Sequence, residues 1–217
     1  SIYGIYNDKT RKDIIMSKVK LAIVFYSQTG VNYKMASIAK EEAEKNGAEV
    51  RLLKVKELRD TSVVEPDSLW DKTIKATEDL KVATPEDLVW ADAIIFSTPT
   101  RFGNVSSQMK DFFDSLGGVW SEGKLINKFV TAFASSQNPN GGQEHTIRAI
   151  YTSAMHWGAI IVPTGYTDDS IFAQGGNPYG VSATQSPETY EISNEIEPAI
   201  KHQTRRLLEI TKKYIND

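Results

Sequence analysis

The run Lys-Leu-Ala-Ile-Val-Phe-Tyr-Ser that begins at Lys20 is apolar almost without a break. A strand with one wet face alternates apolar and polar residues, whereas a parallel strand covered on both faces does not. The run therefore demands helices above and below it. The residues that follow supply the first cover: Met35, Ile38, Ala39 and Ala43 share one helical face, Lys40, Glu41, Glu44 and Lys45 lie elsewhere, and Gly47 is placed to end the helix.

The same alternation repeats along the chain. Strands are expected over 49–54, 92–97, 129–134 and 159–162, with helices around 69–80, 143–157 and 193–214. Thr84-Pro85-Glu86-Asp87 reads as a helix start, with a hydroxyl at the cap, proline in the first turn and acid beside the positive end of the helix dipole. Met109, Phe112, Phe113 and Leu116 recur at i, i+3, i+4 and i+7, the stripe of a helix lying on a sheet. Strands alternating with helices give a parallel sheet with right-handed crossovers, the doubly wound α/β class. Ligands of such sheets bind outside the carboxyl ends of the strands, so the loops after strands one, three and four are the informative ones.

Composition narrows the partners. With 25 basic and 28 acidic residues the formal charge is -3, which offers nucleic acid no electrostatic capture. The absence of cysteine removes thiol catalysis, disulfides and cysteine-ligated metals, and suits a reducing cytoplasm. No apolar run reaches the roughly 20 residues that span a bilayer, so no integral membrane segment is expected. Residues 1–19 read as a leader, vector-derived up to residue 15 because no period precedes Met16, and 20–217 as one domain.

The first informative loop is Ser27-Gln28-Thr29-Gly30-Val31-Asn32, where hydroxyls, backbone N–H groups and a helix N-terminus can cradle a phosphate without lysine. An ordinary strand-to-helix turn uses the same residue types. The third-strand loop, Pro99-Thr100-Arg101-Phe102-Gly103-Asn104, offers backbone polar groups beside an aromatic, the wall a flat cofactor needs. The fourth, Ser135-Ser136-Gln137-Asn138-Pro139-Asn140-Gly141-Gly142, is dense in turn residues and opens directly into a helix at Gln143.

Ser27-Gln28-Thr29-Gly30, Pro99-Thr100-Arg101-Phe102-Gly103-Asn104 and Gly141-Gly142-Gln143-Glu144 resemble three signatures of the WrbA family of NAD(P)H:quinone oxidoreductases. Gly117-Gly118-Val119-Trp120 and Gly175-Gly176-Asn177-Pro178-Tyr179-Gly180 add two more matches, and the likeness runs from about Lys20 to the end. It implies a flavodoxin-like, doubly wound, five-stranded parallel sheet with helices on both faces, and non-covalent FMN. On this resemblance Ser27, Gln28, Thr29, Gly30, Val31 and Asn32 hold the FMN phosphate. Pro99, Thr100, Arg101, Phe102, Gly103 and Asn104 bind the cofactor, with Thr100, Arg101 and Phe102 facing the ring, and Ser136, Gln137, Asn138, Pro139, Asn140 and Gly141 flank it. His156 stands where the family has a histidine near the flavin, and His156 and Arg101 are the expected catalytic pair. Trp120 borders the substrate side and Thr29 stands at the nicotinamide contact.

The expected reaction is a ping-pong transfer from NADH or NADPH to a quinone, by a cytoplasmic homotetramer. The chain departs from the family at Gln137-Asn138-Pro139-Asn140, where a Thr-Gly-Thr-Gly type of run is common, and at Thr29, an aromatic in some members. A flavodoxin-type electron carrier and a non-catalytic regulatory partner are the alternatives.

Other signals lead nowhere. The string from Gly118 to Lys124 nearly spells a nucleotide-triphosphate loop, but Leu125 stands where magnesium needs a hydroxyl. His145, His156 and His202 lack metal-ligand spacing. The Gly- and Pro-rich stretch 169–189 is too long for a simple connection, so a lid or an oligomer contact is expected there.

Overall fold

In the computed structural model, which describes residues 17–217, every residue of strand β1 (Lys20–Phe25) after Lys20 is buried. The stretch expected to be vector-derived, 1–15, lies outside the described residues. β1 pairs in parallel with β2 (Glu49–Lys54) on one side and with β3 (Ala93–Pro99) on the other. β4 (Phe129–Ser136) extends the sheet beyond β3, and β5 (Ile160–Ile161) lies beyond β4, giving the order β2-β1-β3-β4-β5. This is the expected doubly wound arrangement, with its switch point between β1 and β3.

The two-residue period of the strands sorts their side chains into two cores. Leu21, Ile23, Phe25, Ile95 and Phe133 point to the face covered by α1 (Val31–Lys45) and α8 (Glu197–Ile215), through Met35, Ala39, Ile200 and Leu207. Ala22, Val24, Ile94, Phe96 and Val130 point to the other face. There they meet Leu88 of α3 (Pro85–Trp90), Met109, Phe112 and Phe113 of α4 (Ser107–Asp114), and Ile147 and Ile150 of α6 (Gln143–His156).

Several elements differ from their expected bounds for local reasons. α2 (Leu69–Ala76) stops short of residue 80, where Lys54 donates its ammonium to the Thr77 carbonyl at 2.8 Å and ends the helix. α8 begins at Glu197 rather than 193, because Pro198 fits the first helical turn and the residues Asn194–Ile196 form a tighter 3-10 turn before it. α5 (Gly117–Ser121) and α7 (Ser170–Ala173) are short helices with too few residues to show a period.

The fifth sheet position holds an unexpected feature. β5 pairs only with Phe129 and Val130, and the same edge of β4 is taken up again by β6 (Ser182–Thr184), opposite Ala134, Ser135 and Ser136. The edge strand is thus interrupted by the segment 163–181. At the gap the buried Gln203 of α8 substitutes for a strand. Its Nε2 donates to the Ala132 carbonyl at 2.9 Å and to Thr131 Oγ1 at 2.7 Å, and its Oε1 accepts the Val181 N–H at 2.8 Å. The Tyr151 hydroxyl donates to the Tyr179 carbonyl on the same segment. Backbone passes backbone so closely here that a Cβ on Gly180 would stand 2.1 Å from the Ala132 oxygen. No helix among the described residues is long and apolar enough to cross a membrane.

α3 is fixed to the rim of the sheet by charge. The Asp87 carboxylate is 1% exposed and receives Lys81 at 2.7 Å, Arg51 at 3.1 Å, and the Thr84 N–H and hydroxyl at 2.9 Å each. Arg51 also lies 3.9 Å over the Trp90 ring. Burial opposes ionisation of Asp87, but Lys81 and Thr84 outweigh it and hold the carboxyl below its usual range. Because the folded value is depressed, this stability is complete above the unfolded value of about 4 and is lost as pH falls through the folded one. Asp87→Asn should therefore cost about 1–3 kcal/mol at pH 7. Thermal melts should show the gap between variant and wild type narrowing below about pH 4. Gly180→Ala should cost about 2 kcal/mol or more through the clash with Ala132. Hydrogen exchange should show the loss first as opening of β6, before the other strands.

Candidate functional site

The carboxyl ends of β1, β3 and β4 stand side by side, and the expected loops leave from them. After β1 the chain turns at Gly30, whose φ of 93° is left-handed, and enters α1 with no side chain capping it. Lys34 is the first N–H to close onto the helix, bonding Gly30 O at 2.9 Å, so the N–H groups of the preceding turn have no intrahelical partner. Ser27 Oγ is buried beside them without a hydrogen-bond partner. An unpaired buried hydroxyl and an uncapped helix N-terminus are groups that could engage an anion.

The other residues of this loop are placed differently. Thr29 Oγ1 accepts from Gln185 Nε2 at 3.0 Å, which leaves its proton free to donate. Gln28 Oε1 accepts from Arg101 Nη2 at 2.9 Å, so loops one and three are bridged. The Asn32 side chain turns inward, between Ser97 and Ser135, and its N–H is left among the unpaired groups of the helix end.

Loop three is a tight hairpin. Arg101 and Asn104 exchange backbone hydrogen bonds at 2.7 and 3.1 Å, with Phe102 and Gly103 both at positive φ between them. Phe102, at φ 54°, is a bulky residue in a conformation that normally selects glycine, and its ring is fully exposed. A bulky aromatic held at positive φ and left in solvent is surface that a partner could cover. The Arg101 guanidinium folds back to the Thr100 carbonyl at 3.1 Å, and burial lowers its pKa from the usual arginine range.

Loop four is organised around one carbonyl. Asn138 O accepts from Ser136 Oγ, from Gly141 N at 3.2 Å and from Gln143 Nε2 at 2.9 Å, while Asn138 Oδ1 accepts Asn140 N at 3.0 Å. The run Gln137-Asn138-Pro139-Asn140 thus forms a self-bonded turn, and the Ser136 hydroxyl is engaged within it. Gly142, at φ 89°, begins α6 without a side-chain cap, and a Cβ there would lie 2.5 Å from Gly103 Cα. Loops three and four therefore touch backbone to backbone. Thr100 secures the contact, its Oγ1 accepting from Gly103 N at 3.1 Å and pairing with Thr146 Oγ1 at 2.9 Å.

Sequence reasoning missed a polar cluster behind loop one. Glu57 accepts from the Tyr26 hydroxyl at 2.9 Å, from Gln108 Nε2 at 2.8 Å and from the N–H groups of Leu58 and Arg59 at 2.9 Å each. Burial resists the charge on Glu57, but these donors hold its pKa below the usual range; burial and the neighbouring carboxylate push the Tyr26 phenol well above its own. Both residues look ordinary along the chain, since Glu57 and Gln108 meet Tyr26 only through the fold. Gln185 was missed for the same reason.

His156 and Trp120 are not brought to these loops. They stand together, Trp120 Nε1 donating to the His156 carbonyl at 3.0 Å, at the far end of α6. A helix of 14 residues is about 20 Å long, so neither reaches the loops of its own chain. Trp120 is 53% exposed, and His156 is exposed as well. Tyr166 and Phe172 of the interrupting segment form another exposed pair, stacked at 5.6 Å.

The match to known proteins is extensive. The family model described as NADPH-dependent FMN reductase matches residues 20–172. A protein of Deinococcus radiodurans named NAD(P)H dehydrogenase (quinone) is 52% identical over 197 residues, covering 91% of this chain and 98% of that protein. Among solved structures, a WrbA-like flavodoxin from Agrobacterium tumefaciens superposes with a TM-score of 0.60 at 21% identity, covering 90% of this chain and 99% of that one. Flavodoxin 2 from Bacillus cereus gives 0.59 at 17% identity, covering 88% and 99%. These two likenesses speak for the fold, and the first two for descent: the chain belongs to the NADPH-dependent FMN reductase family.

Proposed function

We propose that the three loops hold FMN and that the protein is an FMN-dependent NAD(P)H:quinone oxidoreductase. The observation that carries this reading is the unpartnered Ser27 hydroxyl beside the uncapped N-terminus of α1, at the switch point of the sheet. The name of the Deinococcus relative and the description of the family model support the activity.

Ser27, Thr29 and the backbone N–H groups of Gly30, Val31 and Asn32 would receive the phosphate, with the helix dipole favouring its charge. Thr100 to Phe102 and the turn from Ser136 to Gly141 would border the ring. FMN held there would supply the redox chemistry, the acceptance of a hydride from NADH or NADPH and the delivery of two electrons to the quinone, which becomes hydroquinone on taking up the hydride-derived proton and one from solvent. Arg101 retains its charge at neutral pH despite burial and favours electron-rich species beside loop three. The order we propose is ping-pong, in which the nicotinamide would leave before the quinone enters the same site.

His156 and Trp120 serve this reaction only if another copy presents them. We assign them to the open face of a neighbouring subunit's site in a homotetramer, where the Trp120 ring borders the quinone and His156 donates a hydrogen bond or a proton to its oxygen. The exposed Phe102, Trp120 and Tyr166 are the apolar surface such an assembly would cover. A cytoplasmic location suits the cysteine-free chain.

The decisive measurement is anaerobic mixing of FMN-loaded protein with NADH or NADPH, followed by benzoquinone, with flavin absorbance recorded throughout. Bleaching and then recovery are expected; bleaching without recovery means the protein is no quinone reductase. Sedimentation velocity should give a species of four chains of 24.2 kDa. Trp120→Ala should lower kcat/KM for benzoquinone about tenfold with FMN still bound. Full turnover by a monomer would remove the neighbouring-subunit role.

A further inference from the structure

The side chain of Asn32 does none of the binding that its place in the first loop suggests. It is 1% exposed, in the first turn of α1, at an inward-facing position whose helical neighbours Met35 and Ala36 are apolar and fully buried. An apolar residue there would cost nothing in desolvation, whereas a buried amide must find partners for both its ends. It finds them on two different strands. Nδ2 donates to Ser97 Oγ of β3 at 3.1 Å, and Oδ1 accepts from Ser135 Oγ of β4 at 2.6 Å. Ser97 Oγ in turn donates to the Asn32 carbonyl at 3.3 Å. Ser97 and Ser135 are themselves buried, so water does not compete for these bonds.

The connection continues. Ser135 presents its carbonyl to Thr100 N at 2.7 Å, and Thr100 Oγ1 holds Gly103 N and Thr146 Oγ1. One unbroken path of hydrogen bonds therefore runs from the first turn of α1 to the contact between loops three and four. The part beyond Ser135 is secured independently by the β3–β4 ladder, which pairs Pro99 with Ser135. The part from α1 to the sheet depends on Asn32.

Resting on the FMN reading above, we infer that Asn32 is a positioning residue that sets the distance and orientation of the phosphate nest relative to the loops bordering the ring. It thereby determines preference for the phosphorylated flavin. A ligand that engages two preset subsites at once gains from their fixed separation, and loses that gain when one subsite drifts. Riboflavin engages only the ring loops, which stay held without Asn32. Loss of the tether should therefore weaken FMN and spare riboflavin.

The test is titration of the apoprotein with FMN and with riboflavin, followed by quenching of flavin fluorescence, for wild type, Asn32→Leu, Ser135→Ala and the double variant, with thermal melts alongside. Asn32→Leu should weaken FMN by about tenfold or more while riboflavin changes by less than about twofold. Ser135→Ala should have a smaller effect of the same kind, and should add nothing in the Asn32→Leu background. If Asn32→Leu does not fold, Ser97→Ala and Ser135→Ala carry the same ratio test. An unchanged FMN-to-riboflavin ratio in a folded variant, even one that melts earlier, overturns the role. So does an equal effect of Ser135→Ala in both backgrounds. Wild-type protein that binds riboflavin but not FMN removes the phosphate nest and this role with it; binding of neither flavin removes the whole site.

Discussion

Parallel pairing of β1 with β3 and of β3 with β4 is the constraint from which the site follows. Each ladder runs in the same direction, so the carboxyl ends of the three strands are level and their loops emerge at one edge. Apolar residues on both faces, Leu21, Ile23 and Phe25 on one and Ala22 and Val24 on the other, let helices cover the sheet twice and leave that edge open. The order of strands reverses between β1 and β3, and the crevice this produces is where the uncapped α1 N-terminus lies.

Such an edge would be loose if the loops were held only by their strands. Two kinds of contact stiffen it. Glycines allow backbone to approach backbone at Gly142 and Gly103, and buried side-chain bonds from Asn32, Thr100 and Gln185 join the loops across the strand ends. At this edge the Ser27 hydroxyl has no partner, α1 begins without a side-chain cap, and Phe102 faces outward in an unfavourable conformation. Donors held in this way would meet a charged ligand without reorganising.

The interrupted edge strand shows the same economy. Between β5 and β6 the Ala132 carbonyl would face no strand, and Gln203 from α8 supplies the missing donor. The interrupting segment is thereby free to carry the exposed pair of Tyr166 and Phe172 while Tyr151 and Gln203 keep its root attached.

Much of this was legible along the chain. Unbroken apolar runs and helical stripes were enough to determine the doubly wound sheet, because burial on two faces and burial on one leave different periods in a sequence. Gly30, Gly103, Gly141 and Gly142 marked the loops, because their spacing after strands reflects local backbone needs. Tertiary structure alone decided what depends on residues far apart in sequence. β6 has only three residues and no apolar signature, and its pairing rests on Gly180 and Gln203. Only the fold shows that Ser97 and Ser135 engage the Asn32 side chain and leave its backbone N–H at the helix end. His156, at the end of α6, and Trp120 of α5, bonded to its carbonyl, stand about a helix length from those loops within this chain, since the direction of a helix, fixed by the crossover it makes, decides which end of the sheet its last residue reaches.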